Sequence, residues 1–440
     1  MQDVVVIGAG LAGAAAALRL TDQGRAVTVI EARARVGGRA YSRGISDSAE
    51  VMEFGGSWIT PWHDRMQALA ARFGAALRPT QPVVVRRWHD GLSLRTDTPV
   101  APGALAAHLA GMAAIRQDAL DMADTTGRWH NGSPWADTSV SDYLTEKGVP
   151  DSVRREFMAW WAISGSGDPA RVNPLDPLYF ASHHDGSLDG MMAVLTHTIE
   201  GGAGNLTRDA LKASGAEVLL GEAVVEVADK GDYAALRLSS GQSLMARQVI
   251  VAVAVNAVAT IRFDPPLRAE QSQLANDRHE GRAIKMLLRV SGVAPGVLVT
   301  GEAEGLRWMF SERALADGTT AIIAFGLYDE VPDTSFAAMQ RAVQRFFPEA
   351  TLLSHDWHDW VRDPFSSGTW VSHGLGQSPL FAAGAWGPQG RIHFATSDIA
   401  TAESGWFEGA VIAGEAAADA ILSLQTESPA TAAKGSIAGR

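Results

Sequence analysis

The chain contains no cysteine, only 5 tyrosines against 13 tryptophans, and no surplus of positive charge. Each absence excludes something. Without Cys there is no disulfide, no thiolate metal cluster, no cysteine nucleophile and no prosthetic group attached through a Cys sulfur. With 37 basic against 49 acidic residues, the net charge of −12 argues against nucleic acid or an anionic membrane as a main partner. Long hydrophobic runs are also missing. The longest uncharged apolar stretch, about Val249 to Ile261, is Val-rich and too short to span a bilayer. The apolar run Val4–Ile7 has no basic segment before it and no small-residue cleavage site after it, so it reads as a buried strand rather than a signal peptide. Residues 426–440 hold few apolar anchors and are expected to form a disordered tail without a membrane anchor. A soluble, cytoplasmic protein is the expectation. No GxSxG elbow, P-loop or internal repeat occurs.

What is present is ordinary globular material: 440 residues, 46% hydrophobic and 20% charged. At roughly 150 residues per domain this is enough for two or three domains. The N-terminal strand runs into Gly8-Ala9-Gly10-Leu11-Ala12-Gly13, then an Ala-rich helical stretch to Leu20, then a second strand, Ala26 to Ile30, ending at Glu31. This is a dinucleotide-binding pattern with a reason for each part. Gly8 permits the tight turn, Gly10 lets the backbone approach a pyrophosphate, and Gly13 lets helix and strand pack closely. The helix N-terminus, at Leu11 and Ala12, offers N–H groups and the positive end of its dipole to phosphates. Glu31 can accept hydrogen bonds from ribose hydroxyls and repels a 2′-phosphate, which disfavours an NADP-like ligand.

Two further glycine turns follow at once: Gly37-Gly38-Arg39, then Glu53-Phe54-Gly55-Gly56-Ser57-Trp58. A nicotinamide dinucleotide has no need of them, whereas a bulkier isoalloxazine and its ribityl chain do. In order and spacing, GAGxxG, E-A-x-x-x-x-G-G-R and the Gly-Gly-Ser-aromatic turn resemble the flavin-containing amine oxidase family. So do Trp360–Trp370, similar to W-x-x-D-P-x-x-x-G-x-aromatic, and Ser404-Gly405-Trp406-Phe407-Glu408-Gly409-Ala410. The resemblance covers about residues 3–424. It departs from the family at Ala395-Thr396-Ser397-Asp398, where Ala-Gly-Glu is usual, and at Thr369, where the covalent branch carries its flavin-linking Cys.

The resemblance implies an α/β chain with a discontinuous, Rossmann-like FAD-binding domain (1–85, 195–264 and 385–425) and an α+β substrate-binding domain (86–194 and 265–384), a two-domain architecture shared by amine oxidases and GDP-dissociation inhibitors. FAD would be non-covalent, held by Gly8, Gly10, Leu11, Ala12, Gly13, Glu31, Ala32, Arg33, Gly38 and Arg39. Further contacts would come from Gly55, Gly56, Ser57, Trp58, Val225, Trp360, Asp398, Gly405, Trp406, Phe407 and Ala410. Trp370 and Trp406 match the two cage aromatics before the flavin, where ring faces attract a nitrogen centre. Lys285, in a strand-like segment from Ala283 to Val290, matches the lysine that holds a water near the flavin. Trp58 and Trp308 match cavity-lining positions. The implied reaction converts a small primary or secondary amine to an imine, with the hydride passing to the flavin and O2 as acceptor, giving H2O2. A dehydrogenase or desaturase with another acceptor and a non-catalytic binding protein are the competing readings. A homodimer is left open. No metal is expected, since His355-x-x-His358 and His183-His184-Asp185 lack a further ligand at suitable spacing.

Overall fold

Two sheets carry the molecule, and the strongest sequence patterns sit on them. In this computed structural model residues 1–46, 48, 50–122, 133–381 and 385–424 are described; the tail expected over 426–440 lies outside them. The first sheet runs, in spatial order, Glu217–Leu220, Val27–Glu31, Gln2–Ile7, Ser243–Val251, Ala234–Leu238, Val224–Asp229 and Arg262–Asp264. Its centre is parallel: Val4–Ile7 pairs with Val27–Ile30 on one side and Gln248–Val251 on the other. Ile392–Phe394 joins the same sheet beside Val249–Val251, while Ser243–Ala246 pairs antiparallel with Ala234–Arg237. The apolar run that is too short for a membrane is therefore the end of a central strand followed by the short helix Val255–Val258. Central parallel strands buried on both faces read as unbroken apolar runs, as VVVI and VIV do here.

On one face, helices Leu11–Asp22, Ala203–Ser214 and Phe407–Ser423 share one apolar cluster with Val4 and Val6; the other face packs Val255, Val258 and Leu274. The alanines of the first helix are buried nearly all round, which permits close helix crossing. At Gly414 a Cβ would lie 2.2 Å from the Ala12 carbonyl oxygen, so only glycine fits there.

The second sheet runs Thr351–Trp357, Ala283–Ser291, Thr320–Leu327, Leu306–Ala314, Val297–Ala303, Val85–His89 and Leu94–Arg95. One face packs against helix Phe336–Phe346 through Ile284, Met286 and Leu288. Alternation along the strand turns Lys285 and Leu287 the other way. Leu287 there joins Trp308, Phe310 and Phe325 in a cluster with helix Asp151–Ser164. A small sheet, Trp58–Ile59, His197–Ile199 and Leu77–Pro79, completes the wall around Trp58. Among the described residues no helix is long and apolar enough to cross a membrane.

Candidate active site

A single continuous cavity runs from the first glycine turn to the face of the second sheet that carries Lys285. At one end its walls are Gly8, Gly10, Leu11, Ala12, Glu31, Ala32 and Arg33. Gly8 has φ +105°, and a Cβ there would meet the Ala252 carbonyl oxygen at 2.6 Å. Gly13 does not line the cavity. A Cβ on it would lie 2.0 Å from the Gly8 carbonyl oxygen, so it is the helix–strand packing glycine. Gly10 differs: the nearest atoms to a Cβ are glycine backbone at 3.8 Å and beyond, so a side chain there would stand in the cavity. The carboxylate of Glu31 is buried and accepts the Ala9 and Arg33 N–H groups, one on each oxygen, at 2.8 Å. Each oxygen keeps a lone pair for a further donor. Arg33 is held in turn by Asp363 at 2.6 Å.

The middle of the cavity is built of Gly38, Arg39, Gly55, Gly56 and Ser57, with Trp360, Gly405 and the first turn of helix Phe407–Ser423, at Phe407 and Ala410. Gly55 has the Arg39 carbonyl oxygen 1.8 Å from where a Cβ would be. The Trp360 indole N–H donates to the Phe54 carbonyl at 2.8 Å, which fixes that ring against the turn. Arg39 donates to the Thr369 carbonyl at 2.7 Å and pairs with Asp398 at 2.7 Å.

At the other end lie Trp58, Lys285, Phe325, Thr369, Trp370 and Trp406. The Lys285 Nζ donates to the Gly55 carbonyl at 2.9 Å and the Ser57 hydroxyl at 2.5 Å. The rings of Trp58 and Phe325 stand 5.9 Å from it. Burial lowers this ammonium to about 8, against the opposing pull of Glu53 and Glu312. Burial also raises Glu53, which the Ala203 N–H and the Ser42 hydroxyl hydrogen-bond at 2.6 and 2.7 Å. The Trp370 indole N–H donates to the Ser164 and Gly165 carbonyls at 3.1 and 3.0 Å. Trp406 rests on His63 and Phe180, with ring centroids 5.3 and 4.9 Å away.

Besides Gly13, three expectations need correction. Trp308 does not line the cavity. It is fully buried on the same sheet face as Lys285 but one strand further away, directly across from Phe325, where Trp58, Trp160 and Phe325 cover it. Val225 does not line it either. The wall there is Glu222, Ala223 and Val224, and neighbouring strand residues point to opposite faces. Asp398 is fully buried and absent from the lining, where Thr396 and Ser397 stand. One methylene shorter than Glu, it clamps Arg39 and accepts the Val255 N–H at 2.9 Å. Burial would raise its carboxyl, but Arg39 and His279 hold it below the ordinary value.

Other lining residues escaped the sequence reading: Ile163, Ser164, Ala283, Thr396, Ser397 and Phe325. Phe325 sits directly across the strand pair from Lys285, a register that no local motif encodes. The run Ser164–Gly167 looks flexible as sequence. Here it ends helix Asp151–Ser164 and presents the two carbonyls that anchor Trp370. Of the His pairs, His358 bonds Asp363 at 2.9 Å, His355 bonds the Thr334 carbonyl at 2.8 Å, and His183 stacks on Trp62.

A dinucleotide with a flat ring system fits these residues. Gly10 leaves open the space a Cβ would fill, backbone N–H groups of a helix start face it, and the same cavity continues unbroken to aromatic walls. The profile of the family described as flavin containing amine oxidoreductase matches residues 11–422. The chain is 28% identical to (S)-6-hydroxynicotine oxidase of Paenarthrobacter nicotinovorans over 429 residues, covering 96% of this chain and 100% of that protein. It is 24% identical to pseudooxynicotine dehydrogenase of Pseudomonas sp over 434 residues, 94% of this chain and 84% of that protein. Its fold matches cyclohexylamine oxidase from Brevibacterium oxydans IH-35A with a TM-score of 0.83, at 24% identity, over 97% of this chain and 100% of that one. The glycine turns, the buried lysine, the tryptophan walls and a match over nearly the whole length agree: the chain belongs to the flavin-containing amine oxidoreductase family.

Proposed function

We propose that this protein holds FAD without a covalent link and oxidises the C–N bond of a small, uncharged monoamine to an imine, with O2 returning the cofactor to its oxidised form and yielding H2O2. In this reading the segments 1–85, 195–264 and 385–425 bind the dinucleotide, and 86–194 with 265–384 bind the amine. Gly8, Gly10, Leu11, Ala12, Glu31–Arg33, Gly38–Arg39 and Gly55–Ser57 would hold FAD, with Trp360, Phe407 and Ala410, while Gly13 packs helix on strand behind them. When bound, the flavin supplies a two-electron acceptor for the hydride lost from the carbon next to nitrogen.

The chain's own residues do the rest. Trp370 and Trp406 offer ring faces to the amine nitrogen and keep water away from it. Trp370 cannot swing freely, because two carbonyls hold its indole N–H. Lys285 handles a proton at Nζ, in a pocket that brings its ammonium to about 8. Thr369, not Cys, stands where a covalent link would be made, which supports non-covalent binding.

The observation that carries the substrate class is charge. Among the described lining residues the only carboxylates are Glu31 and Glu222, and both belong to the nucleotide end, where the Glu222 N–H donates to the Glu31 carbonyl. The amine end offers no anion for a second ammonium. Its cations are also committed, Lys285 to Gly55 and Ser57 and Arg39 to Asp398, so a substrate carboxylate finds no free partner. Aryl or alkyl monoamines fit, and diamines and amino acids do not. A second reading, a dehydrogenase with another acceptor, draws support from the likeness to pseudooxynicotine dehydrogenase.

A panel of 6-hydroxynicotine, cyclohexylamine and putrescine, scored for peroxide, separates these readings. Peroxide with the monoamines and little with the diamine is the expected result. Turnover with an artificial acceptor but none with O2 supports the dehydrogenase. Yellow colour that stays with the acid-precipitated pellet overturns non-covalent binding.

A further inference from the structure

We propose that His63 and Glu403 are positioning residues for Trp406, fixing that ring as a wall of the amine end; the proposal rests on the reading of Trp406 as substrate-facing. Neither residue lines the cavity, so both act through the tryptophan.

Trp406 sits on a tight turn, its N–H donating to the Glu403 carbonyl at 3.1 Å. Glu403 has φ +52°, in the left-handed region that a non-glycine residue adopts only when its surroundings over-determine it. Its carboxylate supplies that restraint. One oxygen lies 3.3 Å from His63 Nε2, and the other accepts the Tyr179 hydroxyl at 3.3 Å. His63 is wholly buried, and its Nδ1 accepts the Thr60 N–H at 3.3 Å. Nδ1 therefore carries no proton, and the ring's proton sits on Nε2 and is donated to Glu403. The imidazole so oriented packs on Trp406 from behind.

A second carboxylate fastens the other side of the turn. Glu408 accepts the Arg65 and Met66 N–H groups at 3.0 and 2.8 Å, at the start of helix Asp64–Arg72. The segment Glu403–Glu408 is thus tied to Thr60–Met66 at both ends, with Trp406 between. Glu408 satisfies backbone donors and so holds the chain. Of the two carboxylates, Glu403 alone acts on the ring, through His63, while Phe180 packs on it as well.

A double-mutant cycle on the flavin-loaded protein tests this. Glu403→Ala and His63→Ala should each slow anaerobic flavin reduction by amine about tenfold, since small misplacements of a positioning group carry costs of this order. Flavin content should stay at the parent level. Glu403→Gln keeps an oxygen that accepts from His63 Nε2 and should recover most of the rate. In a Trp406→Ala background, Glu403→Ala should cause no further loss, because it acts through the missing ring. Equal losses in both backgrounds, or no loss in either, overturn the proposal. If His63→Ala does not fold, the Glu403 cycle decides alone. Should Trp406→Ala itself leave flavin reduction unchanged, the reading of Trp406 falls and the proposal with it. A Trp406→Ala that slows reduction beside an indifferent Glu403→Ala overturns the proposal only.

Discussion

The two ends of the cavity are made in opposite ways. The nucleotide end is backbone: glycines where a Cβ would strike the chain, as at Gly8, or stand in the cavity, as at Gly10, then N–H groups, and charges held in pairs such as Arg33–Asp363 and Arg39–Asp398. The amine end is side chain: three tryptophans, a phenylalanine and one lysine, drawn from the glycine-turn segment, the second sheet and two loops far apart in sequence. The first end is rigid through covalent geometry. The second is rigid only through its neighbours, as the anchoring of Trp370 by Ser164 and Gly165 shows. Substitutions should therefore abolish binding at one end and retune chemistry at the other.

The largest effect is expected at Gly13. A valine there would drive its Cβ to within 2.0 Å of the Gly8 carbonyl oxygen and separate helix from strand. Gly13→Val should yield protein without visible flavin absorbance, whatever the flavin concentration; normal loading would break the contrast. Next comes Lys285→Met, which should retain the flavin spectrum and slow turnover by about 100-fold or more, the usual worth of a positioned proton-transfer group. Stopped-flow rates equal to the parent in both half-reactions would remove Lys285 from the chemistry.

The same residue predicts a pH dependence. Its ammonium is lowered to about 8, so below that pH Nζ is protonated and cannot accept a proton, and above it Nζ is a free base. The rate should rise through about pH 8. In Lys285→Met that ionisation should vanish while the substrate's own amine ionisation remains. A profile unchanged by the substitution would deny Lys285 this role. Trp370→Phe should have a smaller effect. It keeps a ring but loses the N–H held by two carbonyls, and should lower kcat/KM about tenfold, an amount typical of lost orientation, with little change in flavin affinity. The smallest effect on activity belongs to Trp308→Phe, which thins the core beside the cavity. It should lower stability by about 1–3 kcal/mol, less than full truncation of a buried Trp, and leave kcat/KM at the parent value. A changed substrate preference in Trp308→Phe would return that residue to the site.

The same contrast explains what the sequence made legible. Gly8, Gly10, Gly13, Glu31 and Arg39 lie in contiguous segments whose spacing carries the geometry, so the nucleotide end could be read locally. Lys285, Trp370 and Trp406 were singled out through motif context alone, and all three line the other end of the cavity. Val225 illustrates the limit. In the run VVEV either valine is a credible wall, and one residue of register exchanges the two faces. Trp308 shows another. An apolar strand covered on both sides gives no sign of whether a ring reaches the cavity or is covered by its neighbours on the same face. Phe325 and the carbonyls of Ser164 and Gly165 reach the site through cross-strand register and a helix end, which are long-range facts. The pairing of Glu403 with His63 joins residues 340 positions apart and left no local trace.

Anaerobic titration of the flavin-loaded protein with an aryl or alkyl monoamine, beside a diamine of equal length, tests the central claim most directly. The account predicts that the monoamine bleaches the flavin absorbance completely and that the diamine does so far more slowly. Protein that takes up flavin yet stays yellow with every amine, or that the diamine bleaches as fast, would contradict it.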